Sequence, residues 1–396
     1  MSIRNVRIAA ALALATVAGA WLPAGVDGGP GDLPPQEEAG AFVVVLGRDT
    51  LAVERYTRTA DRLSGTVVSR SPRTAVRTYV AALRPDGSIS RLEVTTTAPG
   101  GGQPPTVITT EFTADSAITT VQRGDSTRRV PLAATGFVVP LVSFSHAIYE
   151  QALMRARAAG ADSVVGTLVP PGNTTTYPVT LRLGADSGQI SNLAGLQRVA
   201  VDARGRLLGL NGMESTQKFI VTRVPSVDVE RMTAEFARRD AAGQGVGPLS
   251  PRDSAVADLG GAHLAVDYGR PFKRGRTIMG EVVPWGQVWR TGANAATGFT
   301  TTRDLEIGGV TVPAGSYTLW TLPSQEGWKL IVNRQTGQWG TEYSQEQDLA
   351  RIDMQTRRLA TPVEQFTIRL EPTGASAAVL RLAWDDTEAF VPIRVK

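Results

Sequence analysis

The chain has 396 residues, 42% of them hydrophobic and 20% charged. That balance supports folded domains, and the length exceeds what one ordinary core holds. Lys and Arg number 41 against 37 Asp and Glu, a net charge of +4. The two signs are interspersed, so no basic face suited to nucleic acid is formed. Cysteine is absent and the only histidines are His146 and His263. Disulfides, thiolate metal sites, cysteine nucleophiles and centres built from three imidazoles are thereby excluded, and no pattern calls for a cofactor.

At the N-terminus, Arg4 and Arg7 precede an apolar run, Ile8 to Ala20, that closes on Ala18-Gly19-Ala20. The run is too short to cross a hydrocarbon core of about 30 Å as a helix. A charged start, an apolar stretch and a small-x-small end are the features of a secretory signal. Residues 1–20 are therefore expected to be a signal peptide, and the mature protein to be extracytoplasmic, periplasmic or secreted. No later stretch is apolar enough to span a membrane. Residues 21–40, rich in Pro and Gly, read as a flexible leader.

Residues 41–225 show short alternating runs between turns. Ile89, Leu92 and Val94 alternate with polar neighbours after the turn Pro85-Asp86-Gly87, and Thr106 to Thr110 is a β-rich run. Further turns fit Arg123-Gly124-Asp125 and Asp202 to Gly205. The pattern predicts an antiparallel meander sheet or half-barrel. One segment differs: Ser145 to Ala159 has helix formers, an apolar stripe through Tyr149, Leu153 and Ala156, and no Gly or Pro. A single amphipathic helix packed on the sheet is expected there, with Ser145 as N-cap and Gly160 as C-cap. His146 is expected in the first turn, near solvent or as a cap. A meander that holds a helix also suits a carrier of an apolar envelope ligand.

Residues 226–254 read as a short helix, striped by Val229, Met232 and Phe236 and capped by Ser226 or Asp228, followed by a Gly/Pro linker from Ala241 to Pro251. The main domain boundary is placed there.

Residues 255–396 hold six of the seven tryptophans. Phe366, Ile368 and Leu370 alternate with polar residues, as do Leu380, Leu382 and Trp384 after the turn Pro372-Thr373-Gly374. A second turn at Asp385 to Glu388 leads to Val391, Ile393 and Val395. Period two with one apolar face means antiparallel strands over a core. Further strands fit Leu264–Tyr268, Gly298–Thr302, Tyr317–Leu322 and Trp328–Asn333, with hairpin turns at Gly308-Gly309 and Glu326-Gly327. An all-β sandwich or jelly-roll-like domain is expected.

Several ordered motifs carry a family resemblance: Tyr268-Gly269-Arg270-Pro271, Val283-Pro284-Trp285-Gly286, Val288-Trp289-Arg290-Thr291-Gly292-Ala293-Asn294, Pro313-Ala314-Gly315-Ser316-Tyr317 and Gln338-Trp339-Gly340. Over roughly 258–395 the chain resembles the DUF2911 family. The resemblance implies a secreted or envelope bacterial protein and supplies no activity. The family pattern often has an acid after the Asn, where this chain has Ala295.

Physically, the segment around Arg290 is the candidate binding site. Arg290 offers a planar fork for a carboxylate, phosphate or sugar hydroxyls. Trp285 and Trp289 offer stacking faces, Thr291 and Asn294 hydrogen-bonding groups, and Asp267 and Arg270 flank the motif. The competing reading is architectural: the tryptophans fill a core, and Arg290 ties a loop through carbonyls or Asp267. Catalysis has weaker support. No nucleophile motif accompanies His146 or His263, and the sequence does not pair the carboxylates of Asp267, Glu281, Asp304 or Glu342 as a glycosidase requires. The expected function is a non-catalytic β-module binding a small polar or glycan ligand or a protein partner. The alternatives are an envelope carbohydrate hydrolase or lyase, and the apolar-ligand carrier.

Overall fold

The structure, a computed structural model, describes residues 37–396. The expected signal peptide and most of the leader lie outside them. Among the described residues two sheets form, one of fifteen strands from Glu38 to Val224 and one of nine from Arg252 to Val395. The all-β reading holds, with one half-barrel-like sheet and one C-terminal sheet.

In the first sheet nearly every strand pairs antiparallel with its sequence neighbour. The chain winds outward from the strand Glu38–Leu46, then restarts at Phe137–Pro140 and winds back. Its last strand, Ile220–Val224, pairs with the first. Short turns make this meander, because two-residue and slightly longer hairpins return the chain beside itself. The one parallel pair joins Phe137–Pro140 to Ser163–Val169, and helix α1 (Ala147–Ala158) supplies the crossover. Parallel neighbours need such a connection.

α1 lies against the inner face of the sheet, where Ile148, Leu153 and Ala156 are buried with Phe42, Tyr56 and Leu210. The helix begins two residues later than Ser145. Its N-cap is His146, which is buried rather than near solvent; Ser145 instead donates its hydroxyl to Glu54. Glu54 caps the helix from the neighbouring sheet. It accepts the amides of His146 (2.6 Å) and Ala147 (3.2 Å) and the Tyr79 hydroxyl (2.7 Å). An anion at a helix N-terminus satisfies otherwise orphaned donors. His146 also packs at the Phe42 ring, and burial lowers its imidazole to about 4. Gly160, just past the helix end at φ 66°, closes it as the sequence indicates.

Strand alternation sends the other face outward. Ala52, Glu54 and Tyr56 point to α1, whereas Val53 meets a second helix, α2 (Val229–Ala241), through Val229 and Phe236. Asp228 caps α2 by accepting the Arg231 amide at 2.8 Å.

The C-terminal sheet is dominated by two long strands, Asp348–Gly374 and Ala377–Val395. The expected turn at Asp385 to Glu388 is not a reversal: these residues lie inside the last strand. Asp385 takes a left-handed φ of 52° and pairs with Val363 across a register shift, so the strand bends and continues. The bend lets the sheet fold over one core. Tyr268 spans it, donating to the Ile368 carbonyl and accepting its amide at 2.9 Å. Trp289, Trp328, Phe366 and Trp384 fill the centre, with Trp289 stacked on Trp384 at 6.0 Å and edge-on to the other two rings.

The two sheets meet over the linker. The amide of Arg48, at a hairpin tip of the first sheet, bonds the Arg274 carbonyl at 3.0 Å, and Arg274 returns a bond to Asp49 at 2.9 Å. Arg70 and Ser71 hold the linker carbonyls of Gln244 and Gly247. Met213, from the loop before Ile220–Val224, packs on the C-terminal core. Residues 37–396 thus cluster as one compact body.

Candidate functional site

At this junction lies a cavity of about 340 Å³. One wall is the turn around Thr216 to Phe219, another the linker residues Pro248 to Ser250, and the third the segment Trp289 to Asn294 with Arg276. A close crossing of backbones positions the third wall. Gly292 and Ala293 run against Gly269, where a Cβ would overlap the Ala293 carbonyl. Thr291 (φ 53°) and Asn294 (φ 64°) both take left-handed conformations, which turn the chain sharply between them.

That turn decides which motif residues face the cavity. Arg290 and Asn294 line it, together with Trp289. The indole of Trp289 is only 5% exposed and belongs to the aromatic core, so it is a wall rather than an open stacking face. Thr291 is fully buried and donates to the Trp289 carbonyl and the Thr321 hydroxyl. Trp285 lies against Gly280, away from the cavity. Arg270 is spent on Phe366, Thr367 and Asp253. Asp267 pairs with Arg252 at 2.7 Å on the exposed side of its strand. The structure therefore brings together Arg290, Asn294 and Trp289, and places Trp285, Thr291, Asp267 and Arg270 elsewhere.

Arg290 does not tie the loop as the architectural reading requires. Among the described residues its guanidinium makes no hydrogen bond and no ion pair, and its Nε is buried without a partner. Burial lowers its pKa to about 10. Arg276, also on the wall, is lowered to about 10, by burial and then by Arg274; it donates to the carbonyls of Lys273 and Phe272. Lys218 completes the set. Its ammonium donates to the Met213 carbonyl, and burial, then Arg290, then Arg276, lower it to about 8. The sequence does not single out Lys218 or Arg276 as site residues. Arg276 closes the family-like motif Lys273-x-Gly275-Arg276 without a signal of its role, and Lys218 is brought in by a turn of the other sheet, where its own φ is 58°.

The remaining lining is of two kinds. Thr216, Gln217 and Ser250 are polar; Leu46, Phe219, Leu249, Val282 and Trp384 are apolar. The lining contains no Asp, Glu or His. Of the other carboxylates weighed for catalysis, Asp304 accepts the Ala314 amide, Glu342 accepts the Trp339 amide, and Glu281 is exposed outside the lining. His263 pairs with Asp258 at 2.8 Å on the surface. Among the described residues no group of three or more His, Asp or Glu could hold a metal ion, and no helix is long and apolar enough to cross a membrane. A separate open groove of about 530 Å³ runs beside the end of α1, lined by Phe137, Met154 and Val164.

The C-terminal sheet and the wall carrying Arg290 coincide with a known family. Residues 250–393 match DUF2911, a protein family of unknown function. The match places Trp289 to Asn294 and Gln338-Trp339-Gly340 inside the DUF2911 region, and Lys218 outside it. The cavity is thus built from the DUF2911 part and from the sheet that precedes it. No curated protein matches the chain. Among solved structures, the chain is similar to a β-barrel-like protein of the domain of unknown function DUF1849 from Brucella abortus. Identity is 9%, with 48% of this chain and 95% of that chain covered and a TM-score of 0.33. It is also similar to a DUF1089 family protein from Pseudomonas aeruginosa, at 14% identity over 41% of this chain and 91% of that chain, with a TM-score of 0.30. Neither similarity carries a functional argument.

Proposed function

We propose that the protein is an extracytoplasmic, non-catalytic β-module whose ligand site is the junction cavity around Arg290. The observation that carries this reading is the unpaired guanidinium. Its Nε is buried without a partner, which costs free energy, and its other nitrogens bond nothing among the described residues. Arg290 faces a partly open cavity with Thr216, Gln217, Ser250 and Asn294 within the same lining, which suits a small polar ligand. The location between two sheets and a linker supports the same reading, since ligand clefts favour such junctions. Binding is favoured over glycoside hydrolysis because the lining offers no pair of carboxylates. The extracytoplasmic setting is supported by the Arg4/Arg7 start, the apolar run and the Ala18-Gly19-Ala20 end.

The test is a thermal-shift screen of the full mature chain against sugars, organic acids and phosphate, in the wild type and in Arg290→Gln. The expected result is at least one compound that raises the wild-type melting point and leaves the folded variant unmoved. A ligand that shifts both proteins equally would place binding elsewhere and overturn the reading.

A further inference from the structure

Every ionisable side chain lining the junction cavity is basic: Lys218, Arg276 and Arg290. The three share one partly open space, Lys218 is repelled by both arginines, and the carboxylates that act on them, Glu214 on Lys218 and Glu364 on Arg276, lie outside the lining. Their existing bonds relieve them only in part. Arg276 is held by two backbone carbonyls and Lys218 by one, whereas Arg290 is bonded to nothing among the described residues. The missing partner is negative charge.

We infer that the ligand is an organic oxyanion, a carboxylate or phosphate, held by Arg290 and Lys218 with its apolar part along Phe219, Leu46 and Trp384. This rests on the cavity being the ligand site. Arg290 supplies a planar fork that matches two oxygens of either group, and Lys218 adds a compact second charge from the opposite wall. Arg276 spends Nε and Nη2 on backbone carbonyls, so it contributes chiefly field, with Nη1 left as a further donor. The side-chain amide of Gln217 and the hydroxyls of Thr216 and Ser250 can take the remaining oxygens. Since Lys218 and Arg290 come from different sheets, the anion bridges them.

The full chain is titrated by calorimetry in Bis-Tris chloride with phenyl phosphate, phenylacetate and glucose. Wild type, Arg290→Gln and Lys218→Met are compared after circular dichroism has verified folding. One or both acids should bind the wild type, and each variant should bind about tenfold or more weakly, the scale of one charge-assisted hydrogen bond. Phenyl phosphate alone would identify a phosphate site, and phenylacetate alone a carboxylate site. A control needs no variant: pyridoxal phosphate with borohydride should label Lys218 in the wild type, and the bound acid should protect it. Glucose binding that Arg290→Gln abolishes, with neither acid bound, would sink the anion inference and leave the cavity as the ligand site. No binding of any of the three, together with unprotected Lys218, would sink both.

Discussion

Gly340 packs against Arg290 where no side chain fits: a Cβ on Gly340 would overlap the Arg290 Cδ and the Asn294 carbonyl. The Gly340 amide also donates to that carbonyl at 2.9 Å. The glycine of Gln338-Trp339-Gly340 therefore shapes the cavity wall from behind, by leaving room for the stem of Arg290.

Gly340→Ala should displace Arg290 and weaken the response to any ligand of the cavity. Overpacking of this kind costs about 1–3 kcal/mol. Urea unfolding and thermal shift, read on the same protein, check both halves. Unchanged stability with an unchanged ligand response would show that the wall yields freely.

Affinity for an acidic ligand should fall as pH rises through about 8. Lys218 in the free protein is lowered to about 8 by burial, Arg290 and Arg276, with Glu214 opposing them. Above that value the free protein must take up a proton to offer the ammonium. Arg290 and Arg276, lowered to about 10, remain charged over this range. Calorimetry from pH 6 to 9.5 should show a decline in the wild type that Lys218→Met flattens.

Glu54 makes stability depend on pH in a defined direction. Burial raises its carboxyl above the ordinary 4.5, and the donors Ser145, Tyr79, His146 and Ala147 offset this only partly. Because the folded pKa is raised, this contribution is fully present below the ordinary value and is lost as pH rises through the folded one. Urea unfolding at stepped pH should show that loss in the wild type and its absence in Glu54→Gln. Glu54→Leu strands the donors that cap α1 and should cost about 3 kcal/mol or more at every pH.

The other buried acid of the half-barrel is paired. Glu150 on α1 meets Arg58 at 2.9 Å, bonds Arg223, and accepts the Tyr56 hydroxyl at 2.5 Å and the Leu207 amide at 2.8 Å. Glu150→Ala should cost about 3 kcal/mol, because it leaves the nearly buried Arg58 with only the longer Glu38 contact at 3.8 Å. Chemical denaturation measures it, and a loss under 1 kcal/mol would mean that water replaces the carboxylate.

N-terminal sequencing of protein recovered from a bacterial host that secretes it should begin at Trp21 or shortly after. Recovery of intact Met1 in the cytoplasm would remove the extracytoplasmic part of the proposal.

The elements themselves were legible because their signals are local. Alternation at Phe366, Ile368 and Leu370, the Gly308-Gly309 turn and the stripe of Val229 and Phe236 each need only a few neighbouring residues. The same locality misread Asp385 to Glu388. Acidic residues between two apolar runs look like a reversal, and only pairing with Val363 and Thr387's partner Arg358 keeps that strand continuous.

Sequence alone determined the β-rich class, the helix inside the first sheet and the exclusion of cysteine chemistry, since these follow from composition and period. It also pointed to Arg290. Tertiary structure decided the rest: that Trp289 is core, that Thr291 is sealed, that Asp267 and Arg270 have other partners, and that Lys218 and Arg276 join Arg290 around one cavity. Those outcomes depend on which surfaces of two separately patterned sheets meet. A charge's partner is set by distance in space, and no periodicity along the chain encodes it.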